Sequence, residues 1–212
     1  MPPTHEVRTL AAAFQGQRSA APQEITAAEL ALGFRLPEQY RDFVQLVDGA
    51  EGWAGEAYVS LWPVAQLAEL NALACVAEFA PDLTVFGTDG GTEAFVFDRR
   101  GDAIKFATRP IVGLALDRES ATAATFGRFL TTIAGGPIHD ERYGAGLIPR
   151  WTRQPNSELL GKNVWQLHPV ILGGHPTDAS NRTILPLRDM LEAAAFWNRQ
   201  LALITAGGAS GV

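Results

Sequence analysis

Apolar residues recur at helical spacing in several stretches of this chain. The clearest stretch, residues 36–49, has one apolar face made of Tyr40, Phe43, Val44 and Val47. Pro37 suits the first position of such a helix, where its missing N–H leaves no hydrogen bond unmade. The pair Asp48-Gly49 then ends the pattern, so the sequence predicts a helix here.

Residues that favour the start or the end of a helix, together with apolar spacing, predict four further helices. Thr26 and Glu29 have the spacing of a capping box, and Gly33 supplies the stop. Pro63 opens a helix that runs to about Glu78. Residues 120–134 have an apolar side made of Phe126, Phe129, Leu130 and Ile133. A last helix begins at Pro186.

Short apolar runs bounded by turn residues predict the strands. We expect strands at residues 57–62, 83–86, 94–98 and 103–107, a further strand at 111–116, and a loop at 51–56. This order of helices and strands predicts an α+β fold with a mainly antiparallel sheet packed with helices. Strands and helices do not alternate regularly, which disfavours a doubly wound nucleotide-binding fold.

The character of the chain changes after Pro137. Residues 138–162 are rich in glycine, proline and polar side chains, residues 164–172 can be extended, and "GGHPTDASN" is a turn-rich loop before the last helix. We therefore expect one domain at residues 1–137 and a C-terminal strand-turn-helix extension at residues 138–212 packed on it.

The stretch "FGTDGGTEAFVFD", residues 86–98, contains three glycines and the acidic residues Asp89, Glu93 and Asp98. A phosphate-binding P-loop needs Lys and Ser/Thr directly after its last glycine, whereas Thr92 and Glu93 follow Gly91. The glycine spacing also differs from the dinucleotide fingerprint, and the acids lack the spacing of a calcium loop. We expect a hairpin whose glycines allow positive φ, with no cofactor and no metal.

Charge is unevenly distributed along the chain. The net charge is −6, which disfavours nucleic acid as a direct partner because phosphate binding requires a basic face. Residues 1–137 carry ten basic and seventeen acidic side chains, a net charge of −7. The acidic part therefore suits a basic protein partner, although ordinary solubility explains it as well.

One cysteine, Cys75, stands in an apolar helical pattern and is expected to be a buried structural thiol. A chain without a disulfide framework suits a reducing compartment. No stretch is long and apolar enough to span a bilayer. The expectation is a cytoplasmic protein that makes no membrane contact.

Aromatic residues beside acids have the composition of a protein-binding patch. We predict a partner-binding surface made of Asp48, Glu51, Trp53, Glu56, Tyr58, Asp89, Glu93, Asp98 and Arg99. Trp62, by contrast, is expected in the core. No Gly-x-Ser-x-Gly elbow is present, and no set of catalytic residues is apparent.

Four stretches together resemble the SUKH superfamily, which includes fungal regulators of cell-wall glucan synthesis and many bacterial immunity proteins. They are "LPEQYRDFVQLVDGAEGW", "LWPVAQLAELN", "VFGTDGGTEAFVFDRRG" and "TFGRFLTTI", and they follow the family's order and spacing. The resemblance covers about Glu24 to Ala134. The tail, "LHPVILGGHPTDASNRTILPLRDMLEAAAFWNRQL", resembles a segment of bacterial members of the same group.

The resemblance implies a non-enzymatic immunity protein that binds and neutralises a cognate protein toxin, for example a basic nuclease. A regulatory scaffold like the fungal members is the alternative. The tail also resembles an HNH-type nuclease finger, in which His168 and His175 would share a metal. A third ligand is not evident, because Pro169 and Met190 stand where the finger would offer ligands, so this nuclease is the least favoured hypothesis.

Overall fold

The computed structural model describes residues 5–14, 18–55, 57–116, 121–135 and 161–208. Its α-helices are α1 (His5–Ala11), α2 (Pro22–Leu32), α3 (Glu38–Val44), α4 (Leu67–Leu73), α5 (Val76–Phe79), α6 (Phe126–Ala134) and α7 (Leu187–Gly208). Its strands are β1 (Glu51–Ala54), β2 (Ala57–Leu61), β3 (Leu83–Thr88), β4 (Glu93–Asp98), β5 (Lys105–Pro110), β6 (Thr122–Ala123), β7 (Lys162–Gln166) and β8 (Arg182–Pro186). Short 3-10 turns lie at Val64–Gln66, Val170–Leu172 and Ala179–Asn181.

Strands β1 to β6 form one antiparallel sheet in which every strand pairs with its neighbours in the sequence. Strands β7 and β8 form a separate antiparallel pair. The predicted α+β class with a mainly antiparallel sheet is thus confirmed. The connections β1–β2, β3–β4 and β4–β5 are short, which agrees with the closely spaced turn residues of the sequence, whereas the connection from β2 to β3 contains α4 and α5.

The core is a cluster of aromatic rings between the sheet and helices α3 and α6. Phe86 of β3 stacks on Phe97 of β4, with ring centroids 4.4 Å apart, and Tyr40 of α3 meets Phe97 edge-on at 5.0 Å. Phe43 meets Phe126 of α6 at 4.9 Å. Such edge-on and offset pairs add to the stabilisation gained by burial. Tyr40, Phe43 and Val44 of the predicted face are thus buried, but the helix ends at Val44 rather than near Gly49, so Val47 lies outside it.

Helix α2 begins one turn earlier than its predicted cap. It starts at Pro22, and the Glu24 carboxylate accepts a hydrogen bond of 2.8 Å from the Ala21 N–H. Thr26 lies inside the helix, where its hydroxyl donates to the Pro22 carbonyl. The predicted capping box at Thr26 is therefore wrong, because Pro22 at the first position and Glu24 two residues later already form the start. Gly33 ends the helix as predicted, with φ of 76°.

The predicted helix from Pro63 to Glu78 is broken into a 3-10 turn, α4 and α5. The break lies at Cys75, whose φ of 54° is in the left-handed region that few residues other than glycine adopt. Cys75 is half-buried rather than buried, and Nη2 of Arg199 lies 2.9 Å from its Sγ. The prediction of a buried thiol is thus wrong, because the backbone turn brings Cys75 to the edge of the core beside Arg199 of α7.

Two strand predictions also need correction. The predicted loop at 51–56 contains β1, and the predicted strand at 111–116 is a buried turn followed later by the short β6. Gly113 has φ of 100°, which a strand does not allow, and Asn198 of α7 bonds the backbone on both sides of Val112. The apolar run is buried because α7 covers it, not because it belongs to the sheet.

The described part of the predicted extension packs on α4 and on the turn after β5 through α7. Trp165, Met190, Leu191 and Ala194 belong to the same buried cluster as the aromatic core. At the rim, Arg188 lies 2.6 Å from Glu69 of α4, and Arg199 lies 3.2 Å from Glu78 of α5. These exposed ion pairs contribute little energy, so the buried side chains of α7 provide most of the stabilisation of this contact.

Candidate partner-binding site

Four of the predicted surface acids are buried in the structure. Asp48, Asp89, Glu93 and Asp98 are each between 2% and 6% exposed. A buried carboxylate requires hydrogen bonds or ion pairs to offset the loss of water. The contacts of these residues show how the fold supplies them.

Asp48 joins the end of α3 to the start of the 3-10 turn. Its Oδ1 accepts a hydrogen bond of 2.9 Å from the Val64 N–H, and its own N–H donates to the Arg18 carbonyl at 2.7 Å. Burial raises the pKa of Asp48, and the Val64 N–H opposes that rise. The side chain therefore acts as a backbone anchor.

Asp89 organises the glycine turn between β3 and β4. Its Oδ1 accepts from the Gly91 N–H at 2.8 Å and from the Glu93 N–H at 3.1 Å. Gly90, with φ of 75°, takes a conformation that favours glycine. In the described structure the glycine stretch is therefore a hairpin, as predicted, with an aspartate that bonds its backbone.

Asp98 lies in a small network of arginines at the end of β4. Nε of Arg100 donates to both of its oxygens, at 2.9 and 3.0 Å, and Nη2 of Arg109 lies 3.5 Å away. Burial opposes ionisation of Asp98, but the hydrogen bonds and charge of Arg100, together with Arg109, outweigh it and lower the pKa to about 2. The carboxylate thus balances Arg109, which is only 1% exposed.

Trp53 and Tyr58 form a cross-strand pair on β1 and β2. They are directly opposite in register, with ring centroids 5.3 Å apart in an edge-on arrangement. Trp53 is half-buried and Tyr58 is 6% exposed. Glu51, also half-buried, accepts hydrogen bonds from the Ser60 hydroxyl at 3.2 Å and the Gly161 N–H at 3.3 Å. Glu56 lies outside the described residues.

Arg99 is the predicted cation of the surface, and it is half-buried. Its guanidinium lies 4.9 Å from the centroid of the Phe34 ring and donates to the Pro81 carbonyl at 2.6 Å. The structure therefore places Arg99 and Asp98 at one end of the β3–β4 pair, and Asp89 and Glu93 at the other. The nine predicted residues do not form one continuous patch among the described ranges.

A concave feature lies elsewhere, where the extension meets the sheet. We call it the junction cleft, and its lining residues are Thr92, Glu93, Pro110, Ile111, Val112, Trp165, Gln166, Pro169, Val170 and Ile171. One wall comes from the start of β4 and the end of β5, and the other from β7 and the turn after it. No local sequence signal marks this cleft, because its walls are more than fifty residues apart in the chain and carry no motif.

The two histidines of the nuclease hypothesis make unrelated contacts. The His168 ring lies 5.6 Å from the Trp197 ring, and Nδ1 of His175 accepts a hydrogen bond of 3.3 Å from the Thr177 N–H. Within the described ranges, no group of three or more His, Cys, Asp or Glu side chains is placed to hold a metal ion. None of the described helices, including the 22-residue α7, is both long and apolar enough to cross a membrane.

Comparison with known proteins identifies one family. The family model described as the SMI1 / KNR4 family (SUKH-1) matches residues 19–132, just over half of the chain. The match starts before α2 and ends within α6, so it includes the complete meander from β1 to β6. No curated protein matches the chain. The residues that line the second wall of the junction cleft lie outside the matched region.

Proposed function

The chain belongs to the SMI1 / KNR4 family (SUKH-1), and from this membership we propose that it is a non-enzymatic immunity protein that binds and blocks a cognate protein toxin. The family match over residues 19–132 is the observation that carries the proposal. In this proposal, residues 1–137 form the family domain, and residues 138–212 form an extension packed on it. The protein acts by occluding the toxin, without chemistry of its own.

Charge supports a basic toxin as the partner. The family domain has a net charge of −7, and Glu38, Asp82 and Asp102 are exposed on it. Acidic surfaces accelerate encounter with basic partners through electrostatic steering. Two exposed acids of the domain, Glu69 and Glu78, already pair with arginines of α7. The partner therefore approaches through a different face from the one that α7 occupies.

Among the predicted partner-binding residues, those with accessible side chains keep that proposed role. Glu51, Trp53 and Arg99 are half-buried, so each presents part of its side chain to a partner. Aromatic and arginine side chains provide much of the energy of protein interfaces. Asp48, Asp89 and Asp98 are buried, and each holds nearby backbone or arginine groups in place, so they are not proposed as contact residues.

Co-expression tests this function directly. The toxin encoded beside the gene is induced in cells with and without this protein, and growth is followed. We expect the protein to restore growth and to co-purify with the toxin as a defined complex. An inactive toxin variant serves as the control for expression burden. Continued growth arrest with every neighbouring toxin would reject the immunity function, and the regulatory scaffold would then become the better explanation.

A further inference from the structure

Gln166, at the end of β7, lines the junction cleft and is only 6% exposed. Across the described ranges, its side-chain amide has no hydrogen-bond partner. The amide oxygen and nitrogen of Gln166 are not fully enclosed, so they keep contact with solvent. An almost buried amide that borders a cleft and bonds to nothing else is therefore available to a ligand.

Other carboxamides of this protein indicate what kind of ligand fits. Asn71 clasps Val85, donating to its carbonyl at 2.7 Å and accepting from its N–H at 2.8 Å. Asn181 clasps His168 in the same way, at 2.9 and 2.8 Å. In both cases the amide bonds the N–H and the C=O of one residue.

Asn198 forms a related clasp at the wall of the cleft itself. It donates to the Ile111 carbonyl at 2.9 Å and accepts from the Gly113 N–H at 2.7 Å. A side-chain amide offers one donor side and one acceptor side, which complements an extended main chain. Gln166 offers this complementarity without a main-chain segment to receive it among the described residues.

The size and walls of the cleft restrict the ligand further. Its enclosed part has room for about one water molecule or methyl group, too little for a nucleotide or an organic cofactor. The surrounding walls are mainly apolar, with Ile111 and Val112 on one side and Pro169 and Val170 on the other. A small aliphatic side chain fits such a space, with the rest of its chain lying across the rim.

We propose that the junction cleft binds an extended peptide segment of the protein partner, with Gln166 clasping one main-chain N–H and C=O and a small aliphatic side chain entering the cleft. This proposal rests on the toxin-binding function proposed above and assigns part of the recognition to the extension. Recognition of an extended chain through main-chain hydrogen bonds, with a pocket for one side chain, is a common mode of peptide binding.

The test compares full-length variants against the catalytically inactivated toxin by calorimetry. Gln166→Ala removes the clasp, and Gln23→Ala, at an exposed glutamine of α2, is the matched control. We expect Gln166→Ala to raise Kd about tenfold or more, because two buried hydrogen bonds are lost, and Gln23→Ala to leave it unchanged. The Tm of unbound Gln166→Ala should fall only slightly, through the small volume that is lost, since no internal side-chain hydrogen bond disappears; a structural glutamine would lower it further.

A second variant fills the cleft instead of removing the amide. Val170→Trp adds bulk at a half-buried wall position and should weaken binding while thermal melting still shows a folded protein. Binding of overlapping peptides that cover the toxin sequence then identifies the segment. The wild-type protein should bind a peptide with a small aliphatic side chain, and Gln166→Ala should not bind it. Equal affinity of wild type, Gln166→Ala and Val170→Trp for the toxin would overturn the cleft proposal and leave the immunity function intact. Absence of any toxin binding by wild type would overturn both.

Discussion

The Asn198 side chain of α7 accepts a hydrogen bond of 2.7 Å from the N–H of Gly113, 85 residues earlier in the chain. Its amide also donates to the Ile111 carbonyl at 2.9 Å, and Asn198 is 6% exposed. Among the described strands, the backbone between these two bonds has no ladder partner, so the extension supplies what a neighbouring strand would otherwise provide. A polar contact in the interior thus joins the extension to the family domain.

Replacing Asn198 by alanine should destabilise the whole protein. Two buried backbone groups would lose their partners, at a cost of about 1–3 kcal/mol each if neither finds water. Urea denaturation monitored by circular dichroism measures the change in unfolding free energy. Glu192→Ala, at an exposed position of the same helix, should change it by less than about 0.5 kcal/mol. Equal stability of the two variants would contradict a stabilising role for the Asn198 clasp.

The low pKa of Asp98 should make the folded protein less stable in acid. Its pKa in the folded protein is about 2, below its ordinary value of 3.8, because the bonds and charge of its arginines outweigh the effect of burial. A lowered pKa stabilises the fold above about pH 4, and this contribution disappears as the pH falls through about 2. Asp98→Asn should therefore cost about 2 kcal/mol at neutral pH, and its difference from wild type should shrink between pH 4 and pH 2.

Urea titrations at several pH values follow this difference. Asp102→Asn, an exposed acid on the adjoining turn, is the control and should track wild type throughout. A gap between Asp98→Asn and wild type that stays constant down to pH 2 would show that the asparagine acts through altered packing, not through loss of charge.

The raised pKa of Asp48 should have the opposite effect on the pH dependence of stability. Burial raises its pKa, so ionisation costs stability as the pH rises through the folded pKa. Asp48→Asn keeps an oxygen for the Val64 N–H and removes the charge, and should leave stability at pH 7 unchanged or higher. Asp48→Ala leaves that N–H without its acceptor and should cost about 1–3 kcal/mol. Thermal melts at pH 7 compare the pair, and equal damage by both would argue that the charge itself is required.

Gly174 should not tolerate a side chain. A Cβ at this position would lie 1.8 Å from the His168 carbonyl oxygen and 2.7 Å from its carbon, so the backbone after β7 would have to move. Gly174→Ala should cost about 1–3 kcal/mol through overpacking and speed hydrogen exchange in residues 167–182. Gly101→Ala, where the nearest atom would be 3.9 Å away, is the control. Normal exchange in Gly174→Ala would show that this turn can relax without loss of structure.

Glu51 should affect the rate of toxin association. Glu51→Lys reverses one charge of the proposed surface and should slow association about threefold to tenfold at low salt, with little effect at high salt. Glu38→Lys makes the same change of net charge on α3 and separates local from overall electrostatics. Stopped-flow or surface plasmon resonance measurements provide the rates. Identical slowing by both variants would remove Glu51 from the interface.

The fold class could be predicted because its elements carry local signals. The spacing of Tyr40, Phe43 and Val44 predicted α3, and all three side chains are buried. The glycine turn was predicted because phosphate and metal loops require residues that are absent from it. Turn residues and apolar runs thus determined the meander, whose pairs lie close together in the sequence.

The candidate site was predicted less accurately than the fold, because the residues that contact one another there are distant in the sequence. Asp98 and Asp89 look like surface acids until Arg109 and the backbone N–H groups of the turn are placed beside them. The run at 111–116 looks like a strand until Asn198 is seen to bond its backbone. Gln166 carries no local signal, since only the packing of the extension makes it part of a cleft.

The clasp between α7 and the backbone at 111–113 also constrains how this lineage can diversify. The clasp uses only main-chain atoms of Ile111 and Gly113, so it depends on the path of this turn and on Asn198 rather than on the side chains of the turn. Exchange of the C-terminal segment between relatives by recombination should therefore succeed only when its asparagine and the matching turn travel as a pair.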